Sequence, residues 1–275
     1  MKNIIVHIDD IWSTLNSNKA AFDLLENWLA SSWSLMVPCV WFNDAIKKYN
    51  SCKNIDLWLH LTLTSERDKW YVKWKPTLPT WEVKSLTDKD GYFHKTIDEV
   101  FLHANEEEIK NELLNQIKIA QISGVQLSHI DSHMWLLLHS KFFELYKHIA
   151  EKTWIQPFIC KPSNNSKLGH RFHNCHKFID DLQINWFKVF DNFDAYSLYD
   201  WNDFNDFELG RLENIKDWTT YFLIHVSYNH HNDYLTTPDF LLRQKEYIFF
   251  KKKFAQSYFN KNWISLISVK QFISS

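Results

Sequence analysis

The sequence predicts an α/β fold: a single-domain, distorted barrel of alternating strands and helices, with most strands parallel. Three observations carry this expectation. Short apolar runs alternate with stretches of helical periodicity from the first residues onward. No repeat, low-complexity tract or linker divides residues 1–275. A chain of 275 residues is long enough for one barrel-sized core, and parallel strands need the long crossovers that the helical stretches supply.

Taken in order, Ile4–Ile8 reads as a buried strand running into two acids, Asp9 and Asp10. Ala20–Ala30 has helical periodicity, and Ser34–Val40 is the next strand candidate. Asp56–Thr64 (DLWLHLTLT) alternates residue by residue, as a strand with two unlike faces does. Residues 65–104 break the pattern with Pro, Trp and charge; the stretch is too long for an ordinary connection and reads as a lid or an ordered excursion. Asn105–Ile122 is the clearest helix, with Asn105 or a neighbour as cap, acids in its first turn and Gly124 just past its end. A strand at Val125–Met134, a helix around Lys141–Lys152, strands near Ile155–Cys160, Phe187–Phe190 and Tyr221–Val226, and a late helix at Pro238–Phe254 continue the alternation. Ser163–Cys175 and Asp191–Asp206 read as loops.

Composition narrows the function classes. A net charge of −2 with mixed signs lacks the basic face that nucleic acid requires. The four cysteines show no CxxC pairing, the pattern of reduced thiols in a cytoplasmic protein rather than of a disulfide framework. The first apolar run is too short for a signal-peptide core, and no run approaches the roughly 18 apolar residues of a membrane span. With only 4 Gly the chain contains neither GxGxxG nor a GxxxxGKS/T phosphate loop. Aromatic residues make up 17%, including 14 Trp. Such rings either stack on sugars or fill core volume, and core filling is the commoner fate of any one of them. Exposed aromatics would also permit a homodimer.

Working residues of barrels sit at the C-terminal ends of strands. That rule selects Asp9 and Asp10 after the first strand, His60 in the third, and His133 at the end of the strand beginning near Val125. One carboxylate and two imidazoles form a ligand shell for a divalent metal ion with open positions, as metal-assisted hydrolysis needs. Each element alone is weak, because paired Asp residues cap turns and a strand His is often a satisfied core group. Their joint placement after separate strands singles them out. His129 and Asp131, on the strand of His133, are candidate supporting partners, Asp131 to orient a ligand imidazole. His170, His173 and His176 lie three apart, but no Cys pair or carboxylate completes a set, so a polar loop or helix surface is expected; His230 and His231 are expected to be exposed. Within 65–104, Trp70, Trp74 and Trp81 suggest a stacking surface for sugar rings, Trp74 foremost.

The VHIDDIW segment resembles the NADDFG opening of the YdjC-like carbohydrate deacetylases, also described as chitooligosaccharide deacetylase-like. The likeness continues through LLENWLASSWSLMVPCVWFNDA, LHLTLTSE, YVKWKP, LTDKDGYF and NELLNQIKIAQISGVQLSHIDSHM. It weakens after Met134 and returns at LIHVSYN and DYLTTPDFLLRQKEY, covering most of the chain with order and spacing kept. HIDSHM with the upstream LHLTLT is its most specific part. The resemblance implies a distorted barrel that removes acetyl groups from N-acetylglucosamine units of oligosaccharides or glycolipids. It implies Asp10, His60 and His133 as ligands of one divalent ion, Asp9 as general base, and His225, the histidine of a late HPG-like motif, as general acid. Family members are commonly described with magnesium, whereas two imidazoles and a carboxylate also suit zinc.

The departures concern substrate range. His7-Ile8 replaces Asn-Ala, Ile11-Trp12 replaces Phe-Gly, and the HPG-like motif reads His225-Val226-Ser227. An Arg often found after the fifth strand is matched by Lys161, a substrate-binding candidate. Two other readings stand beside the deacetylase. One is a metal-dependent hydrolase of another acyl or phosphoryl bond on the same scaffold. The other is a non-catalytic sugar-binding protein, which the retention of Asp9 beside Asp10 disfavours, since a binder needs no base.

Overall fold

The computed structural model describes residues 2–11, 14–52, 55–65, 73–161, 176–195, 204–228 and 239–275. Eight strands appear among them: β1 (Lys2–Ile11), β2 (Ser32–Leu35), β3 (Leu57–Leu61), β4 (His129–Ser132), β5 (Gln156–Pro157), β6 (Asn192–Asp194), β7 (Trp218–His225) and β8 (Ile264–Leu266). Every pairing is parallel, in the order β5-β4-β3-β2-β1-β7-β6, with β8 joined to β1 off that path. The sheet curls into a distorted barrel. A parallel bridge between Cys160 and Phe190, with Lys161 N donating to Phe190 O at 2.9 Å, brings the β5 and β6 edges together.

The crossovers are helical: α1 (Leu15–Glu26), α2 (Phe42–Ser51), α3 (Ile97–His103), α4 (Glu106–Ile122), α5 (Phe143–Thr153), α6 (His176–Ile184), α7 (Phe204–Glu213), α8 (Phe240–Lys251), α9 (Phe254–Lys261) and α10 (Val269–Ser274). Local chemistry sets their starts. Thr14 Oγ1 accepts from Ser17 N, Asn105 Oδ1 accepts from Glu107 N and Glu108 N, and Thr96 with Glu99 forms a reciprocal capping box. Ile4, Ile5, Val6 and Ile8 are all buried, as a strand covered on both faces requires. The barrel interior below the site is aromatic: Trp58 stacks on Tyr221 with centroids 5.2 Å apart, and Phe158 packs against Tyr221 at 4.7 Å. No helix among the described residues is long and apolar enough to cross a membrane.

Several boundaries differ from the sequence expectation for identifiable reasons. β2 stops at Leu35, short of Pro38, whose missing N–H cannot continue a ladder. β3 stops at Leu61 because the Gln116 side chain takes over Thr62, accepting from its N–H at 3.0 Å and donating to its carbonyl at 2.7 Å. β4 is only four residues long, and His133–Leu138 is a 3₁₀ turn with Met134 and Trp135 in left-handed backbone. The late helix is α8, which ends at Lys251, and a further helix, α9, starts at Phe254 after Lys253, where φ is 61°. The expected loop at Asp191–Asp206 contains β6 and the start of α7, while 196–203 and the expected loop at Ser163–Cys175 lie outside the described residues.

The described part of 65–104 is tied to α4 rather than detached. Glu112, fully buried, accepts from Thr77 N, Thr77 Oγ1 and Leu78 N at 2.8–2.9 Å, and Glu108 accepts from Ser85 N and Oγ. Two helical carboxylates thus satisfy the backbone donors of Thr77, Leu78 and Ser85.

Candidate metal centre

Two adjacent strand residues ordinarily point to opposite faces. Asp9 and Asp10 escape this because Asp10 adopts φ 52°, left-handed backbone that Asp tolerates better than most residues. The β1–β2 register slips at the same place, between Ile8 and Ile11. This bulge turns both carboxylates to the C-terminal end of the barrel. Asp9 Oδ1 accepts from Ser34 Oγ of β2 at 2.6 Å and lies 3.4 Å from His60 Nε2. Asp10 Oδ1 lies 3.8 Å from His60 Nε2 and 3.5 Å from His133 Nδ1, and those two nitrogens are 3.3 Å apart.

Asp131 stands opposite His60 in the β3–β4 register, and its Oδ1 is 2.5 Å from His60 Nδ1. A proton shared there leaves the Nε2 lone pair facing Asp9, Asp10 and His133, the orientation that a ligand imidazole needs. Burial pushes the Asp131 carboxyl up to about 7 against the pull of His60. Burial lowers His60, but the Asp131 and Asp9 carboxylates outweigh it and hold the imidazole above its ordinary value. For Asp9, burial is outweighed by His60 and His7; for Asp10, by the His133 hydrogen bond, Arg243 and His225. Both acids stay ionised well below the usual carboxylate range.

The sequence reading missed Arg243. It lies on the first turn of α8, fully buried, with one amino group 3.0 Å from Asp10 Oδ2 and Nε donating to Asp239 Oδ1 at 3.0 Å. Asp10 therefore turns one oxygen to the imidazoles and the other to the guanidinium. One turn on, Glu246 accepts from His225 N at 2.7 Å and pairs with Arg211, which also bonds Glu208, Asp194 and the carbonyl of Leu223. This buried network fixes the end of β7 at the position the HPG-like motif would occupy. Its available signal was an Arg and a Glu three apart in DFLLRQKEY, on a helix whose other face is apolar.

His225 faces Asp9 across the β1–β7 register, and its Nε2 is 3.7 Å from Asp10 Oδ2. Burial and the nearby Arg243 lower its pKa, so it rests neutral. The remaining candidates lie differently. His129 is two residues below Asp131 on β4, bonded to Ser128 Oγ and packed edge-on against Trp58, away from the acids. Trp74 is 4% exposed, with Nε1 donating to Thr64 O at 2.9 Å and its ring 6.1 Å from that of His133. It backs the site instead of offering an open face. Lys161 is half exposed and pairs with Asp191 at 2.7 Å. Trp81 is exposed on the surface, while Trp70, His170, His173, His230 and His231 lie outside the described residues, as does the side chain of His176. His7, the unexpected neighbour of the acids, is buried with Nε2 3.9 Å from Asp9 Oδ1, and burial drops its pKa to about 3.

Among the described residues, Asp10, His60 and His133 form one of two sets whose donor atoms all lie within 4.8 Å of one another; the other is Asp9, His60 and Asp131. The first set fits a metal ion better. Ligand atoms about 2.1 Å from a common ion stand roughly 3.0–3.5 Å apart, close to the 3.3–3.8 Å observed here. The second set would require Asp131 to abandon His60 Nδ1.

Comparison with known proteins gives a consistent picture. Residues 3–261 match the family model of YdjC-like protein. A carbohydrate deacetylase of Thermoanaerobacter pseudethanolicus is 29% identical over 168 residues, 61% of this chain and 64% of that protein. One of Thermus thermophilus is 30% identical over 166 residues, 60% of this chain and 56% of that protein. The matched stretch is thus less than two thirds of either relative. A crystal structure of an Enterococcus faecalis V583 protein, named for cellobiose-phosphate cleavage, superposes with a TM-score of 0.80 over 98% of both chains. At 19% identity that likeness is one of fold.

Proposed function

This chain belongs to the YdjC-like protein family, and on that premise we propose that it is a metal-dependent hydrolase that removes acetyl groups from N-acetylated sugars. The observation that carries the reading is the convergence of Asp10 Oδ1, His60 Nε2 and His133 Nδ1, with a second, ionised carboxylate, Asp9, beside them. The relatives named carbohydrate deacetylases supply the substrate class.

Asp10, His60 and His133 would hold one divalent ion, magnesium or zinc. When bound, that ion supplies a Lewis acid that polarises the acetamide carbonyl and acidifies water. Asp9 takes the proton of the attacking water. Ser34 fixes one of its oxygens, and the carboxylate is ionised, the state in which a base can take a proton. An amine leaves poorly unless protonated. His225, neutral at rest and beside Asp9 across the two strands, is placed to receive a proton and pass it to the leaving nitrogen. Arg243 holds Asp10 by its second oxygen, so that the ligand oxygen keeps its direction.

The test is acetate release from N-acetylglucosamine and its oligomers, before and after chelation and after adding back magnesium or zinc. Metal-restored release of acetate with appearance of free amine supports the reading. Full activity after chelation, or no acetate from any N-acetylated sugar by a metal-loaded folded protein, would contradict it.

A further inference from the structure

Nine non-glycine residues among those described have positive φ, and six of them are tryptophans. One, Trp135, packs against Phe158 and Phe193. The other five, Trp28, Trp154, Trp186, Trp218 and Trp263, are 68–91% exposed, with φ between 55° and 73°. Each lies where a helix hands over to a strand: after α1, α5, α6, α7 and α9, at the end of the barrel opposite the acids.

The hydrogen bonds identify the motif. Trp28 N donates to Leu25 O at 3.1 Å and Leu29 N to Leu24 O at 2.8 Å. Trp186 N donates to Gln183 O at 3.0 Å and Phe187 N to Leu182 O at 3.1 Å. Gly124, at φ 87° after α4, makes the same pair: its N to Gln121 O at 3.0 Å, and Val125 N to Ala120 O at 3.2 Å. All three are Schellman helix ends, whose left-handed residue is usually glycine because a Cβ is disfavoured there. The same job is done once by Gly and twice by the bulkiest side chain.

A docking patch would explain exposed rings but not their backbone. The rings sit at five separate helix-to-strand junctions and share one backbone conformation. Composition points the same way. The chain has 4 Gly and 14 Trp, where average glycine usage of about 7% would give roughly 19.

We propose that positions 28, 154, 186, 218 and 263 are glycine positions of this fold, and that the codon read there as tryptophan is decoded as glycine by the cells that make the protein. UGA is the candidate codon, because variant genetic codes assign it to one residue or the other.

Peptide mass spectrometry on the protein purified from its own cells tests this. Glycine at the five positions is expected; tryptophan there overturns the decoding. A second arm compares the chain bearing the five tryptophans with a variant carrying Trp28→Gly, Trp154→Gly, Trp186→Gly, Trp218→Gly and Trp263→Gly, both made in a standard host. The variant is expected to gain about 2–4 °C in Tm per relieved position. Trp33→Gly, at a buried site on β2 with extended backbone, is expected to lower Tm. An unchanged or lowered Tm in the five-fold variant overturns the assignment of glycine positions.

Discussion

The two ends of this barrel both hold residues in left-handed backbone, and they treat it in opposite ways. At the C-terminal end, Asp10 at φ 52° is surrounded by His133, His225 and Arg243, all within 3.7 Å of its carboxylate. At the N-terminal end, Trp28 at φ 55° sets 68% of its surface in water. Strain at the first end places two adjacent acids on one face, which no regular strand does. Strain at the second places nothing. Local strain therefore marks function only where the side chain it redirects is met by partners.

The sharpest way to break this contrast is at Arg243. Arg243→Met leaves Asp10 and Asp239 buried without their shared cation, and should cost about 3–5 kcal/mol, read as a fall in Tm of the metal-free protein. Loss of less than about 1 kcal/mol would mean that Asp10 is not held as described.

Asp131→Asn probes the next largest effect. Replacing the charged acceptor at His60 Nδ1 with a neutral amide oxygen should weaken metal affinity by about 10–100-fold with the fold intact. The pH dependence follows from the same contact. The raised pKa of His60 lets protons compete with metal sooner as pH falls, so affinity drops on acidification. Without Asp131 that competition eases, and the gap between variant and parent should narrow as pH is lowered. A gap independent of pH would separate Asp131 from the protonation of His60.

The smallest effect has the opposite sign. Trp28→Gly should stabilise by about 1–2 kcal/mol, whereas Asp10→Gly, with the same backbone eased, should abolish metal binding. Calorimetry with metal titration of the two variants checks both. If Asp10→Gly keeps its metal, the two ends do not differ in the way proposed.

Much of this arrangement was legible in the sequence. Alternation along DLWLHLTLT placed His60 on a strand and HIDSHM put Asp131 on another, whereas His133 lies just past β4 in a 3₁₀ turn that alternation does not describe. The bulge at Asp10 was not legible, because a register slip depends on which strand lies alongside. Arg243 was hidden for a different reason. A charged residue in a helix reads as solvent-facing unless the buried acid waiting for it is known, and Asp10 is 233 positions away. Trp74 misled because its exposure depends on the Thr64 carbonyl that its indole meets. Short elements such as β6, β8 and α10 are below the length at which periodicity can be read.

The central claim is that Asp9 and Asp10, neighbours in sequence, do different jobs. Metal content and acetate release measured on purified Asp9→Asn and Asp10→Asn decide it together. Asp10→Asn should lose metal, because an amide replaces an anionic ligand. Asp9→Asn should retain metal near the parent level while activity falls by about 10²–10⁴-fold, the loss expected for a general base. Equal metal loss in both variants, or near-normal turnover in Asp9→Asn with metal bound, would contradict the account.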